Sequence, residues 1–458
     1  MSADPPASPA GSRSSRLDEV RALQHALCRT AKADPGRRFR ALRDKVFCRD
    51  VLWRGWVAVR ADNGAPGIGK ITLDWIGHEY GALRLVDELA AELREGRYRP
   101  LPARGVLIPE PGLKDEYRPL AISAVRDRIV QAAVKIVLEP VFGADFLPCS
   151  FGFRPRRSAH DALQVVTGEA WRGRRRVAET DIASCFTAIP HEKLMQAIEE
   201  RVVDQSVLKL LRQILRAGVM QDGQVRREGT GAAQGGPSSP LLCNIYLHRM
   251  DREWDGVLVR FAGDLLVMCK SRQQAEAALA RIRQMLAEPG LEPEEAKTRI
   301  VHLEEGGPGF DFLGFHHQMA RSKGWKTGRG TLFLARWPAD KAMRHARNRI
   351  CELTARSRLL LPSEVVVQDM NMSLRGWVAC FRYGHSAARL AKIREYATLR
   401  LAIFTGKRHK RGRRFGLHVV ACLSPDRCGL ISMPGVVVPP RADKPWREKP
   451  HAAGERRR

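Results

Sequence analysis

Residues 257–269, with the sequence VLVRFAGDLLVMC, decide the fold because they hold two apolar runs on either side of a short turn. Each run has the length of a β-strand, and Ala262-Gly263-Asp264 between them predicts a tight hairpin. The acid in the turn, Asp264, has two interpretations. It is either ordinary turn chemistry or a candidate metal ligand, since carboxylate oxygens suit Mg²⁺.

A second acid, Asp181, ends another predicted strand, residues 177–181. Acids at the ends of neighbouring strands can hold two metal ions about 3.5–4 Å apart, an arrangement that polymerases use for phosphoryl transfer. An aspartate that caps the following turn or helix is the structural alternative for Asp181. Neither acid decides the function by itself.

The rest of the chain alternates predicted helices with short strands. A loop is predicted at residues 63–69 from its Gly and Pro content. This order indicates an α+β fold with a small antiparallel sheet and not a regular βαβ repeat. Apolar spacing predicts helices at 17–27, 39–47, 83–94, 130–138, 193–200, 205–217, 273–286, 341–354, 370–383 and 387–400.

The composition points to a polyanionic partner. The chain has 458 residues and a formal net charge of +28, an excess typical of nucleic-acid binding. A basic solubilising surface is the alternative. No run of about 18 apolar residues predicts a membrane span. The ten cysteines are scattered and form no Cys-x-x-Cys pair, which favours a reducing, cytoplasmic location.

Further motifs surround the two acids in a fixed order. In this order and spacing, from about residue 39 to 383, the chain resembles the reverse transcriptases encoded by bacterial group II introns. The segment 374–383 resembles the maturase (thumb) region of the same family. The motifs are RPLAI at 118–122, RDRIVQ at 126–131, SFGFRP at 150–155, QGGPSSPLL at 234–242, KTR at 297–299 and FLGF at 312–315.

The resemblance implies a right-hand polymerase, with fingers and palm followed by an α-helical thumb and a basic tail. It places a disordered lead and N-terminal helix at residues 1–38 and the fingers and palm at 39–320. The thumb, or maturase domain, takes residues 321–405, and a basic tail that could contact DNA takes 406–458. The implied activity is RNA-templated DNA synthesis from deoxynucleoside triphosphates. The implied partners are intron RNA, whose splicing the protein promotes, and target DNA.

The resemblance also implies the roles of individual site residues. Asp181, the backbone of Ile182 and Asp264 bind two Mg²⁺ ions. Arg118 meets the triphosphate, for which a guanidinium fork is suited, and Lys297 lies near the leaving pyrophosphate. Phe186 packs against the nucleotide sugar and excludes a 2′-hydroxyl, and Gln234 belongs to the segment that holds the templating base pair. Phe312–Phe315 is implied to grip the primer.

The hairpin turn departs from the family pattern. Phe261-Ala262-Gly263-Asp264 stands where the family has Tyr-Ala-Asp-Asp. Glycine cannot ligate a metal through a side chain, so we expect severely weakened synthesis. In an extended chain neighbouring side chains point to opposite faces, and Asp264 is not expected to replace its neighbour. Glu110, where relatives usually carry Lys, is a smaller departure.

Two functions from different classes remain open. One is a reverse transcriptase of this family, active or recently damaged; the other is a non-enzymatic splicing cofactor that binds intron RNA. A reverse transcriptase recruited to host defence is a third idea, against which the maturase-like segment argues.

Two C-terminal features have competing interpretations. Trp377 and Phe381 are compatible with RNA stacking, but their i, i+4 spacing favours a core face. Four possible metal ligands in the tail have a spacing that matches no standard zinc pattern: His409, His418, Cys422 and Cys428.

Overall fold

A computed structural model describes residues 11–109, 117–227, 229–231, 235–322, 330–422, 429–433 and 437–438. Short turns are a π-helical turn (Ile76–Tyr80) and two 3₁₀ turns (Glu295–Lys297 and Arg356–Arg358). The helices and strands are α1 (Gly11–Ala33), α2 (Arg43–Val46), α3 (Arg49–Asp62), α4 (Leu73–Trp75), α5 (Ala82–Arg94), β1 (Ala103–Pro109), β2 (Tyr117–Ile122), α6 (Val125–Gly143), α7 (Ala159–Trp171), β3 (Arg176–Asp181), α8 (Cys185–Ala188), α9 (His191–Glu199), α10 (Gln205–Leu215), β4 (Val219–Gln221), β5 (Gln224–Arg226), α11 (Ser239–Glu253), β6 (Leu258–Phe261), β7 (Asp264–Cys269), α12 (Arg272–Ala287), β8 (Arg299–His302), β9 (Phe310–Phe312), β10 (Phe315–Arg321), β11 (Leu332–Pro338), α13 (Asp340–Leu353), α14 (Ser363–Phe381), α15 (Ala387–Arg408) and α16 (Arg413–Cys422).

A central four-stranded antiparallel sheet carries both candidate acids. Its strand order is β6-β7-β3-β8, and β6 and β7 form the hairpin expected from the opening sequence. Helix α12 packs on β3 and β7 and buries Ala275, Leu279 and Ile282, which recur at helical spacing. The expected α+β fold is confirmed, and its hairpin brings the turn to the end of β3.

A second sheet is mixed and has the strand order β2-β1-β4-β5. In it β1 pairs antiparallel with β2 and parallel with β4. Helices α3 and α6 cross closely at Gly55, where an added Cβ would lie 2.8 Å from the Ile129 carbonyl oxygen. Only glycine fits this crossing, so the packing of α3 against α6 depends on a bare backbone at this point.

The C-terminal region is helical. A three-stranded sheet of order β11-β10-β9 leads into it, and α13, α14 and α15 enclose their own core around Met370 and Phe404. Trp377 and Phe381 have ring centroids 4.9 Å apart and pack on buried residues, which confirms the core interpretation of this pair. No helix of the described residues is both long enough and apolar enough to cross a membrane.

One expectation about helices needs correction. Residues 39–47 form only the short α2, because Phe39 makes a bridge with Val202 instead of continuing a helix. The carboxylate of Asp204 accepts hydrogen bonds from the backbone N–H groups of Leu42 and Arg43, at 2.9 and 2.8 Å, and fixes the start of α2. Helix α15 continues beyond the predicted end at residue 400 to Arg408, and α16 packs against it.

Candidate active site

Asp181 and Asp264 face each other across two hydrogen-bonded strands. They are direct partners in the antiparallel register of β3 and β7. Side chains that are directly opposite in such a pair lie on the same face, with Cβ atoms about 4.5–5.5 Å apart. The register therefore places the Asp264 side chain on the same face of the sheet as that of Asp181. The alternation of side chains along a strand had suggested that Asp264 would not take the place of its neighbour.

Gly263 lies against the same carboxylate. A Cβ atom built on Gly263 would be 3.1 Å from Oδ1 of Asp181 and 3.0 Å from Cβ of Cys185. The φ angle of Gly263 is outside the left-handed region, which the neighbouring Ala262 adopts instead at +55°. Position 263 is therefore where a side chain would meet Asp181, and glycine leaves that space without a ligand.

Lys297 forms an ion pair with Asp181. Its Nζ lies 2.6 Å from Oδ2 of Asp181, and the two residues are 116 positions apart in the chain. Partial burial opposes the ammonium charge, but the hydrogen bond to Asp181 and the attraction of both acids outweigh it. The pKa of Lys297 is raised as a result. One positive charge thus balances one of the two acids.

Asp264 is the more strongly perturbed acid. Burial, together with the negative charge of Asp181, raises its pKa to about 6, while Lys297 and Arg118 act in the opposite direction. A carboxyl group with this pKa is partly protonated just below neutral pH. Asp264 therefore keeps its proton to a higher pH than an ordinary aspartate does.

The backbone around Ile182 holds the end of β3 in place. The N–H of Ile182 donates to the Gly263 carbonyl oxygen at 3.0 Å, and the N–H of Glu294 donates to the Asp181 carbonyl oxygen at 2.7 Å. The Ile182 side chain is buried in the main core. The hairpin turn, the strand end and the segment before Lys297 are thus joined by backbone hydrogen bonds.

An aromatic cluster borders the acids, and only one of its members was expected. Phe186 is partly buried and makes an edge contact with Phe153, with ring centroids 6.2 Å apart. Phe153 also lies 6.0 Å from Phe261, is 50% exposed and has a left-handed φ of +54°. A large residue in that conformation is strained. The motif SFGFRP contains Phe153, but no sequence pattern reveals its backbone angle.

A buried arginine, also not anticipated, supports the turn. The Arg260 guanidinium is fully buried and donates to both carboxylate oxygens of Asp251, at 2.7 and 2.6 Å. It also donates to Oδ1 of Asn244 at 2.9 Å, to Oγ of Ser150 at 2.8 Å and to the Ala262 carbonyl oxygen at 3.3 Å. The sequence signal that could have identified Arg260 was its charge within the otherwise apolar run VLVRF.

The other expected site residues have varied outcomes. Arg118 lies on β2, exposed, and close enough to lower the pKa of Asp264. Phe312 and Phe315 pair at the β9–β10 turn and are buried. Gln234 and Glu110 lie outside the described residues.

The tail histidines and cysteines do not gather in the described part of the chain. His409 contacts Phe415, and His418 lies on α16, while Cys428 and the side chain of Cys422 are outside the description. Among the described residues no group of three or more His, Cys, Asp or Glu side chains could hold a metal ion. Asp181 and Asp264 are two acids, one fewer than such a group requires.

Two family profiles match the chain. The profile described as "Reverse transcriptase (RNA-dependent DNA polymerase)" matches residues 108–317. The profile described as "Group II intron, maturase-specific domain" matches residues 343–419. The first match includes both acids, Lys297 and the aromatic cluster, and the second includes most of the helical C-terminal region.

Curated relatives agree with these matches. The chain is 33% identical over 350 residues to Protein YkfC of Escherichia coli, and this alignment covers 66% of this chain and 88% of that protein. It is 34% identical over 219 residues to the group II intron-encoded protein LtrA of Lactococcus lactis, covering 46% of this chain. A 91 kDa protein in the cob intron of Schizosaccharomyces pombe is 32% identical over 211 residues, covering 46% of this chain.

The extent of these matches differs. The chain spans most of YkfC but only 35% of LtrA and 25% of the fission yeast protein. The two profiles match in the same order as the sheet-containing and helical regions of the fold. The chain therefore belongs to the group II intron reverse transcriptase and maturase family.

Proposed function

We propose that this chain binds group II intron RNA to promote splicing and retains a reverse transcriptase site whose DNA synthesis is strongly impaired. The family uses divalent metal ions and acts on intron RNA. For this chain we assign the fingers and palm to residues 39–320, the thumb to 321–405 and a DNA-contacting tail to 406–458, after the lead at 1–38. The relatives and the order of the two matched profiles support this proposal.

One observation carries the proposed impairment. The position that lacks a carboxylate, Gly263, is the one whose Cβ would meet Oδ1 of Asp181 at 3.1 Å. A carboxylate there would share cations with Asp181. Two-metal catalysis needs negative ligands that neutralise two cations held about 3.5–4 Å apart. The loss of one of three acids therefore removes charge from the place where it is needed most.

The residues present fit one Mg²⁺ ion better than two. Asp181, Asp264 and the Ile182 carbonyl oxygen supply hard oxygen ligands, and Mg²⁺ commonly takes one or two carboxylates with water and phosphate oxygens. Lys297 already holds Asp181 at 2.6 Å, so a metal ion must compete with an ammonium group. When bound, the ion supplies charge neutralisation for phosphoryl transfer. No second metal has a comparable set of ligands among the described residues.

The remaining site residues suit nucleotide binding. We assign Arg118 to the triphosphate of a deoxynucleotide, Lys297 to the pyrophosphate side, and Gln234 to the templating pair. Phe186 excludes a 2′-hydroxyl by contact with the sugar, and Phe153 supports its ring from the side. Binding by these groups does not require both metal ions, so nucleotide affinity should be better preserved than synthesis.

The test is primer extension on an RNA template with Mg²⁺. We expect little or no product from the natural chain, faint product with Mn²⁺, and a gain of orders of magnitude in Gly263→Asp. A lost charge interaction of several kcal/mol corresponds to such a factor, since each ~1.4 kcal/mol is about tenfold in rate. Robust synthesis by the natural chain that Asp181→Ala abolishes would refute the impairment.

A non-enzymatic splicing cofactor is the second candidate. The ion pair of Lys297 with Asp181 favours it, because an internal cation already balances the acid that should hold metal. Gly263→Asp separates the two candidates. Restored synthesis supports a damaged polymerase, whereas no synthesis from a variant that still binds intron RNA supports a cofactor that has lost further parts of the site.

A further inference from the structure

Two thiols meet in the protein core beside the hairpin turn. The Sγ atoms of Cys185 and Cys243 are 3.4 Å apart, although the residues are separated by 58 positions in the chain. Both residues are buried, with 7% of Cys185 and 1% of Cys243 exposed. A weak hydrogen bond between two thiols in an apolar core is the structural alternative. The contact nevertheless places two oxidisable groups at a distance that a small movement can close.

The two sulfur atoms lie close to the positions that a disulfide requires. The S–S bond length is about 2.0 Å, so the sulfur atoms would have to approach each other by about 1.4 Å. Rotation of each side chain about its Cα–Cβ bond can supply part of this movement. Cys185 begins the four-residue helix α8, and Cys243 is buried in the 15-residue helix α11. A bond between the two would tie a short helix to a long one.

The Cys185 thiol also borders the site of the paired acids. A Cβ atom built on Gly263 would lie 3.4 Å from Sγ of Cys185 and 3.1 Å from Oδ1 of Asp181. Phe186 directly follows Cys185 in α8. Ser184, directly before it, has a left-handed φ of +48°, so the backbone at the start of α8 is strained. A new bond at Cys185 would therefore act on the segment that joins the end of β3 to Phe186.

The surroundings of the reduced pair make it slow to react. The hydrogen bond with Cys243, together with burial, raises the pKa of the Cys185 thiol. Because the thiolate is the reactive form of cysteine, the pair should resist dissolved oxygen and require a stronger oxidant such as a peroxide. Cys185 is the more exposed of the two, so the oxidant reaches its sulfur first. Disulfides of reducing compartments are usually transient and redox-sensing, and a bond that forms only under strong oxidation is of this kind.

We propose that Cys185 and Cys243 form a site of oxidative modification, where hydrogen peroxide converts the two thiols into a reversible disulfide between α8 and α11. The Cys185 sulfur attacks one peroxide oxygen, the O–O bond breaks, and the other oxygen leaves as water with the thiol proton, which gives a sulfenic acid. The Cys243 sulfur then attacks the Cys185 sulfur, the S–O bond breaks, and the hydroxyl group leaves as water with the second thiol proton. Two thiols are oxidised, and one peroxide is reduced to two water molecules.

The test treats the full, folded chain with hydrogen peroxide, alkylates the remaining thiols in denaturant and maps the cysteines by mass spectrometry. We expect a linked pair of peptides that contain Cys185 and Cys243, lighter than the two reduced peptides by two hydrogen atoms, and dithiothreitol should separate them again. Cys185→Ser and Cys243→Ser should each abolish the link. Cys269→Ser is the matched control because Cys269 is also buried but lies on β7, and this variant should keep the link.

The exposed thiol of Cys380 calibrates the dose of peroxide in the natural chain. The absence of the link at a dose that has fully oxidised Cys380 overturns the proposal. The same mixture of cysteine pairings in the folded chain and in the chain unfolded by urea also overturns it. The oxidised natural chain should unfold at a higher urea concentration than the reduced chain, because a link across 58 positions restricts the unfolded state. No such shift, or an equal shift in Cys243→Ser, contradicts a disulfide that fits the native fold.

Discussion

Replacing Gly263 with aspartate places a charge beside Asp181 and should make folding depend on metal. The new Cβ would be 3.1 Å from Oδ1 of Asp181 and 3.0 Å from Cβ of Cys185. Any side chain meets these contacts, so Gly263→Asn has nearly the same steric cost. The difference between the Asp and Asn variants isolates the effect of charge.

The magnitude follows from Coulomb's law. Two negative charges about 4 Å apart repel by about 4 kcal/mol at an effective dielectric constant of 20. Lys297, 2.6 Å from Asp181, offsets part of this repulsion. We therefore expect the Asp variant to unfold with a free energy about 2–4 kcal/mol below that of the Asn variant when metal is absent.

Urea unfolding followed by circular dichroism measures this difference, first with a chelator and then with Mg²⁺. An ion that binds only the folded state stabilises it by about 2.7 kcal/mol at 100 times its dissociation constant. Mg²⁺ should therefore stabilise the Asp variant by several kcal/mol and affect the Asn variant and the natural chain much less. Primer extension on the same samples should recover only in the Asp variant.

Equal stability of the Asp and Asn variants without metal, together with an equal response to Mg²⁺, would refute an effect of charge at position 263. That result would mean that position 263 does not share its surroundings with Asp181. Restored extension without any stabilisation by Mg²⁺ would instead show that the new charge acts on catalysis through another route.

Three further predictions follow from single contacts. Because the pKa of Asp264 is raised to about 6 from 3.8, its contribution to stability is present below about pH 4 and is lost as the pH rises through 6. The natural chain should lose up to about 3 kcal/mol between pH 4 and 7 in a chelator, and Asp264→Asn should not; parallel pH curves for both would contradict this. In a Gly263→Asp background, Phe186→Ala should admit ribonucleotides in primer extension, and unchanged discrimination would make Phe186 a core residue only. Arg260→Met should cost about 3–5 kcal/mol because it leaves Asp251 buried and unpaired, and adding Asp251→Leu should recover much of the loss in urea unfolding; additive losses would show that the pair is not coupled.

Local patterns in the sequence were enough to predict the hairpin, β3 and most helices. Alternating apolar runs and helical spacing act over a few residues, so they survive without knowledge of the fold. The helix predicted over residues 39–47 was wrong because the carboxylate of Asp204, far along the chain, accepts hydrogen bonds from backbone N–H groups that a longer helix would have used. Long-range contacts of this kind leave no local pattern.

In the candidate site, too, the sequence predicted individual residues, whereas their contacts depend on the fold. Positions at strand ends made Asp181 and Asp264 candidates, and the resemblance added Lys297, but only the folded chain shows that Lys297 pairs with Asp181 across 116 positions. Phe153 was quoted within a motif, yet its exposed ring and left-handed backbone depend on how its segment packs against the hairpin turn. The strand register also shows that Asp264 lies opposite Asp181, a position that the local sequence pattern did not predict.

The charges around β3 and β7 explain how a chain can lose one acid of this site and keep its fold. A site built to neutralise divalent cations holds excess negative charge, which costs folding free energy whenever the cations are absent. With glycine at position 263, Lys297 balances Asp181, and Asp264 can keep a proton at mildly acidic pH because its pKa is about 6. Below about pH 6 the charges of these three side chains then nearly cancel. A metal ion must compete with the Lys297 ammonium group for Asp181, so we expect the fold to be stable without Mg²⁺.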